Sequence, residues 1–318
     1  MKIKTNIIGL GKIGKGYDNN HKYNIGNYLK SILQSEKFKL ISLLDTSPLK
    51  FDKNIKNIKN IYLYTSIDKM MENTNPDLII VSSGTSSHYK IMKKIMKYKP
   101  KYVILEKPAC KNEKELKAII NLNEKSKIYV NYIKRYNKTY DDIHKLIQNK
   151  KYGKLESIKI NFSGDTLNIG SHALDLICYL MNLKKINISK KKSINDQIYS
   201  LKTFLLNKKY HIELKQYKKK RLYLFELEIG FSKGRVILSN NELQLKEFEI
   251  KKTFKDHSKS NLYFNEYIEK KVIDYKVPKY SFISHFLKII FSKNNKTSKL
   301  ADINNALLVH KFYKKVYK

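Results

Sequence analysis

Ile3-Lys4-Thr5-Asn6-Ile7-Ile8 runs directly into Gly9-Leu10-Gly11-Lys12-Ile13-Gly14, a β-branched stretch followed by glycines at the spacing of a strand, a tight turn and a helix start. Gly9 allows the turn, Gly11 lets the backbone approach a ligand with no side chain between, and Gly14 lets the next helix pack on the strand. Such a turn seats the pyrophosphate of a dinucleotide, with Lys12 and Ile13 completing the segment and the helix N-terminus facing the negative charge. The same three glycines can also mark nothing more than a turn.

Working outward, a second apolar run, Phe38-Lys39-Leu40-Ile41-Ser42-Leu43-Leu44, ends in Asp45. An acid at a strand end can accept hydrogen bonds from the adenosine ribose hydroxyls, which favours NAD; a 2′-phosphate would be repelled there, although Thr46, Ser47 and Lys50 leave NADP open as the lesser choice. Asp45 lies further from Gly14 than the roughly 20 residues of the usual fingerprint. The polar stretch 17–24, poor in helix formers, reads as an inserted loop that delays or interrupts the first helix.

Beyond Asp45 strands and helices alternate. Strands are expected at 60–64, 77–82, 102–105 and 128–130, with helices at 66–72 (capped by Ser66), 87–97 and 113–126. That rhythm predicts an α/β fold opening with a Rossmann-type, doubly wound parallel sheet over residues 1–130. In 131–318 the rhythm changes. One helical pattern at 170–181 is followed by strand-like runs at 199–206, 210–214, 222–231, 235–239 and 243–251. They are joined by hairpin chemistry at Asn207-Lys208-Lys209, Ser232-Lys233-Gly234 and Asn240-Asn241. This second part is expected to be an α+β domain on an open, mostly antiparallel sheet that carries substrate and oligomer contacts. Two helices, 280–292 and 301–317, close the chain, the last capped by Ser298 or Asp302 and available to pack back on the first domain.

The formal net charge of +37 would ordinarily suggest nucleic acid or an anionic surface. The lysines are spread along the whole chain, however, and the short clusters Lys190-Lys191-Lys192 and 218–221 read as solvated connections, so no specific nucleic-acid partner is expected. No apolar stretch approaches a membrane span and no signal peptide opens the chain, which predicts a cytoplasmic protein. Cys110 and Cys178 are too few for a disulfide framework, and no spacing suits a metal.

In a parallel sheet, ligand chemistry gathers just after the strands. Ser82-Ser83-Gly84-Thr85-Ser86-Ser87-His88 is a small-residue loop able to pass close to the nicotinamide, with His88 either at the ligand or capping the next helix. In Glu106-Lys107-Pro108 the proline keeps Lys107 at the strand mouth, where an ammonium can hold a substrate hydroxyl and help move a proton, or be a surface lysine before a turn. Asn131-Tyr132-Ile133-Lys134-Arg135-Tyr136 can line a sugar site through Asn131, Arg135 and Tyr136, or tie two domains together. In Asn168-Ile169-Gly170-Ser171-His172-Ala173-Leu174-Asp175, His172 can exchange a hydroxyl proton with Asn168 and Asp175 nearby, or be a buried histidine at a helix start.

In this order, the five segments resemble the glucose-fructose oxidoreductase and inositol dehydrogenase family, Gfo/Idh/MocA. The resemblance implies NAD(P)-linked oxidation or reduction at a sugar-like hydroxyl carbon, with Gly9, Gly11, Gly14, Asp45, Ser83, Thr85, His88, Glu106 and Lys107 toward the cofactor. It gives Lys107 and His172 the proton transfers, and places substrate against Asn131, Arg135, Tyr136, Asn168, His172 and Asp175. One departure is plain: where the family motif opens on Asp, this chain has Asn168, a neutral amide. The Asn-x-Gly-Ser-His form and the stretch 17–24 resemble a subgroup linked to surface-polysaccharide sugars, so the expected substrate is a sugar or nucleotide sugar. Relatives that retain NAD for elimination or glycoside cleavage, and a non-catalytic dinucleotide-binding protein, are the alternatives. The exposed face of the second sheet implies a homodimer or homotetramer.

Overall fold

The computed structural model describes residues 2–16, 27–218, 223–255, 263–275 and 300–318. The expectations for 17–24, 219–221, 280–292 and Ser298 lie outside the described residues. Two compact units emerge: one from the described residues of Met1–Tyr136 and Lys279–His310, the other from those of Asn137–Pro278 and Lys311–Lys318.

The first unit is built on a seven-stranded sheet. Its strands are β1 (Ile3–Ile8), β2 (Phe38–Leu44), β3 (Tyr62–Tyr64), β4 (Leu78–Val81), β5 (Tyr102–Leu105), β6 (Lys127–Val130) and, from the far end of the chain, β15 (Ala301–Asp302). Their order is β15-β6-β5-β4-β1-β2-β3, parallel throughout except for β15, which runs antiparallel to β6. β4 and β5 are buried at every position because both faces of the sheet are covered, and their unbroken Leu-Ile-Ile-Val and Tyr-Val-Ile-Leu runs follow from that.

Among the described residues of this unit the chain forms α1 (Tyr28–Leu33), α2 (Lys53–Lys56), α3 (Ile67–Asn73), α4 (Thr85–Ile95) and α5 (Glu113–Leu122), and the final helix begins in it. Asparagine, so abundant here, does much of the capping: Asn27 accepts from Lys30 N and Asn112 from Glu115 N. Ser66 stands at the N-cap of α3 but its hydroxyl bonds no helix amide. α4 begins at Thr85, earlier than its sequence pattern indicates, which shortens the preceding loop to Ser82–Gly84; α5 ends at Leu122, before Ser126. Asp302 and Asn305 cap each other's backbone amides at the start of α8 (Ile303–Tyr317).

The second unit holds α6 (Lys138–Gln148), α7 (Gly170–Leu180) and an eight-stranded sheet. The strands are β7 (Leu155–Ser163), β8 (Ile188–Asn195), β9 (Tyr199–Leu206), β10 (Tyr210–Tyr217), β11 (Phe225–Phe231), β12 (Gly234–Ser239), β13 (Gln244–Lys255) and β14 (Tyr263–Asp274). In the order β14-β13-β12-β11-β7-β10-β9-β8, only the β10–β7 pair is parallel. β7, β8, β14 and α6 were not foreseen from the pattern. Lys190-Lys191-Lys192 lies inside edge strand β8, not in a connection; an edge strand has one unpaired side and tolerates a run of exposed lysines that a central strand would not. The asparagine hairpins form: Asn207 and Asn240 adopt φ of 52° and 50°, left-handed values that asparagine tolerates at turn positions. One face of this sheet buries Ile158, Ile160, Ile212, Leu214, Leu227 and Ile229. The other is half-exposed and charged, with Lys159 paired to Glu213 at 3.2 Å and Arg235 lying over the rings of Phe248 and Tyr267.

Candidate functional site

The glycine turn closes tightly. Gly9 has φ of 94°, its N–H donates to Leu44 O at 2.7 Å, and its carbonyl accepts from Ser82 Oγ at 2.7 Å. A side chain on Gly9 would strike the Ser83 backbone, and one on Gly14 would strike the carbonyl of Gly9, so both glycines are required by contact. Gly11 differs: a Cβ there would meet nothing within 4 Å. The turn therefore presents bare backbone to open space at the position where a phosphate would approach.

Asp45 completes this edge. Its Oδ2 accepts from Leu10 N at 2.8 Å and its Oδ1 from Ser47 N at 3.0 Å, which fixes the carboxylate beside the turn. Each carboxylate oxygen keeps further acceptor capacity for a ribose hydroxyl. The residues present thus fit a dinucleotide. The expected α-helix after Gly14 is instead a π-helical turn, Lys12–Gly16, in which both Lys15 N and Gly16 N donate to Gly11 O. Its exit is taken up by side chains: Asn27 Nδ2 donates to Lys15 O at 2.7 Å, and Lys15 pairs with Asp52. Lys12 is exposed, whereas Ile13 packs against the unit's core.

The mouths of β4, β5 and β6 are bonded together. Ser83 Oγ accepts from Ser87 Oγ at 2.8 Å, and Thr85, half-exposed, opens α4. His88 is fully buried; its Nδ1 lies 3.1 and 3.2 Å from the carbonyls of Pro108 and Ala109, and its Nε2 lies 2.9 Å from Ser83 O. The imidazole thereby braces the loops after β4 and β5 against each other. The Lys107–Pro108 peptide is cis, and Lys107 is half-buried.

Glu106 is buried and takes hydrogen bonds from Tyr28 Oη and Asn131 Nδ2, both at 2.6 Å, while Lys107 N donates to its Oε2 at 3.2 Å. Burial, then the charge of Glu106, raises the Tyr28 phenol well above its ordinary range, so it stays a donor at any working pH. Sequence reasoning missed Tyr28. No motif flags it, and the signal was indirect: an acid at a buried strand end needs donors from somewhere. Arg135 and Tyr136, on the 3-10 turn Ile133–Tyr136, are buried too. Arg135 Nη1 reaches Asn305 Oδ1 at 3.5 Å, and the Tyr136 ring belongs to the core cluster.

In the second unit, His172 and Asp175 stand three residues apart on α7, hence on one helix face, and both are buried. Asn168 is exposed in the turn before the helix. Asp165 Oδ1 accepts from Leu167 N and Asn168 N at 2.9 and 2.7 Å, and Asn168 O accepts from Ser171 Oγ at 2.9 Å. A carboxylate is therefore present three residues before Asn168, but it serves to shape the turn. Among the described residues no group of His, Cys, Asp and Glu could hold a metal ion, and no helix is long and apolar enough to cross a membrane. Burial and the charge of Glu115 push the Cys110 thiol up to about 12, which leaves it inert at neutral pH.

The model of the Gfo/Idh/MocA oxidoreductase family, NAD-binding Rossmann fold, matches residues 3–132. Over those residues the chain is similar to the NAD-binding fold of that family. YteT of Bacillus subtilis, named as an oxidoreductase, is 24% identical over 154 residues, a stretch that covers 46% of this chain but only 36% of YteT. Solved structures align along nearly the whole chain. The WlbA dehydrogenase of Bordetella pertussis, solved with NADH and UDP-GlcNAcA, gives a TM-score of 0.72 at 14% identity, covering 100% of this chain and 96% of that one. The super-repressor mutant of Gal80p from Saccharomyces cerevisiae gives 0.74 at 14% identity, covering 100% and 95%. At such identities the likeness is one of fold.

Proposed function

We propose that this protein is an NAD-dependent oxidoreductase that moves a hydride to or from a hydroxyl-bearing carbon of a sugar or nucleotide sugar. The observation that carries the reading is the glycine turn, open only above Gly11 and flanked by the fixed carboxylate of Asp45. WlbA, with its bound nucleotide sugar, supports the substrate class. A bound nicotinamide supplies the hydride chemistry; the protein's own groups handle the rest. Lys107, half-buried at the mouth of β5, holds the reacting hydroxyl, and His172, with Asp175 on the same helix face, takes or returns its proton. Asn168 hydrogen-bonds a hydroxyl without adding charge. The first unit is the nucleotide-binding domain; the second binds substrate, and its half-exposed sheet face assembles a homodimer or homotetramer.

Calorimetric titration with NAD, NADH, NADP and NADPH at two salt concentrations tests the reading, because salt separates specific binding from attraction to a +37 chain. Salt-insensitive binding of NAD and NADH over the phosphorylated forms is the expected result; binding of none would overturn it. With a nucleotide sugar that is turned over, Lys107→Ala should leave NAD affinity intact and lower kcat by about 10²- to 10⁴-fold. A second reading, a non-catalytic dinucleotide-binding protein, is favoured by Asn168, where the family motif has a carboxylate, and by the presence of Gal80p among the structural neighbours. NAD binding without turnover of any nucleotide sugar would select it.

A further inference from the structure

The group of Tyr28, Glu106 and Asn131 does more than satisfy a buried acid. Asn131 Nδ2 donates to two acceptors, Glu106 Oε1 at 2.6 Å and Tyr28 Oη at 2.9 Å. This fixes which way the amide faces. Turning it over would press its oxygen against a carboxylate oxygen, and Tyr28, whose proton is already given to Glu106, has only lone pairs left to offer. The amide oxygen is consequently committed elsewhere. Asn131 is only 4% exposed, and its Oδ1 is a buried acceptor with no hydrogen-bond partner among the described residues. Native proteins rarely leave such an atom unmet, so a ligand donor is the simplest completion.

The sheet says which end of a ligand reaches it. Asp45 follows β2, while Glu106 and Asn131 follow β5 and β6, on the opposite side of β1. A dinucleotide with its adenosine ribose at Asp45 and its pyrophosphate at Gly11 sends its nicotinamide half across β4 toward β5 and β6. We infer that Asn131 Oδ1 accepts a hydrogen bond from the nicotinamide half of the dinucleotide, from the carboxamide N–H or a ribose O–H, and that Tyr28 is the positioning residue that aims this acceptor. The inference rests on the NAD reading of the same site, and it moves Asn131 from the substrate to the cofactor.

Titration calorimetry of the full chain with NAD, ADP and deamido-NAD, whose carboxamide is replaced by a carboxylate, tests it. ADP lacks the nicotinamide half and reports on the folding of the turn in each variant. Asn131→Ala should weaken NAD about tenfold with ADP unchanged, and Tyr28→Phe, which keeps the ring, about threefold with ADP unchanged. If the carboxamide is the donor, deamido-NAD will bind wild type and Asn131→Ala alike; if a ribose hydroxyl is the donor, the variant will lose deamido-NAD as it loses NAD. NAD affinity unchanged in both variants, with ADP bound normally, overturns the inference while the NAD reading survives. Failure of the wild type to bind either nucleotide removes both. Should Asn131→Ala not fold, Tyr28→Phe decides alone.

Discussion

Glu106 in the first unit and Glu242 in the second are both buried carboxylates fed by tyrosine hydroxyls, yet they are finished differently. Glu242 takes Tyr140 Oη on one oxygen and Tyr223 Oη on the other, each at 2.6 Å, within a hairpin turn. Nearby on β13, Glu247 accepts from Tyr152 Oη at 2.8 Å and from Lys151 Nζ at 2.6 Å. Those clusters serve the sheet and its helices. The Glu106 cluster instead ends on the unmet oxygen of Asn131, at the mouths of the parallel strands. Identical chemistry is thus structural where the hydrogen bonds close on themselves, and points to a ligand where one is left open.

Three substitutions sharpen that contrast. Gly14→Ala drives a methyl into the carbonyl of Gly9, which is backbone and cannot swing aside, so it should cost about 3 kcal/mol or more and abolish nucleotide binding. A denaturant melt and an NAD titration check both effects; a stable variant that binds NAD would show that the turn is looser than drawn. Glu242→Ala, which strands the buried Tyr140 hydroxyl and frees that of the exposed Tyr223, should cost about 1–3 kcal/mol in a denaturant melt with NAD affinity unchanged wherever the variant is folded. Loss of NAD binding in a folded Glu242→Ala protein would break the distinction between the two carboxylates.

The smallest effect concerns His310 on α8. Burial lowers its folded-state pKa below 6.5, and the charges of Glu113 and Glu115 offset this only in part. Because the unfolded chain then binds the proton more readily, stability is full above pH 6.5 and declines as the pH falls through the lowered folded value. Melts at pH 7.5 and pH 5.5 should differ less in His310→Gln than in wild type, and an equal difference would place the acid sensitivity elsewhere.

The parallel sheet was legible because β4 and β5 are apolar at every position, which burial on both faces demands, and because Gly9 needs a left-handed backbone and Gly14 leaves no room for a side chain. The hairpins at Asn207 and Asn240 were legible for a related reason: few residues tolerate a left-handed turn. β7 and β8 were not, since alternating Ile and Lys in one and consecutive lysines in the other resemble loop composition until a neighbouring strand supplies the hydrogen bonds. Of the candidate site, Asp45 and Glu106 could be read from their places at strand ends. His88 could not: its chain position suggested a ligand contact or a cap, whereas the loops it braces meet only in three dimensions. Tyr28 escaped notice because its partners lie 78 and 103 residues away.

β8, finally, bears on how this protein behaves in a crowd. It forms one rim of the second sheet, and its outer backbone groups are a template on which another chain could build. Lys190, Lys191 and Lys192 arm that rim with charge of a single sign, so two copies approaching edge to edge repel before they can pair. The guard is electrostatic and fades as the Debye length shrinks. Concentrated salt, usually a friend of basic proteins in storage, is for this one the condition under which fibrous association becomes easiest.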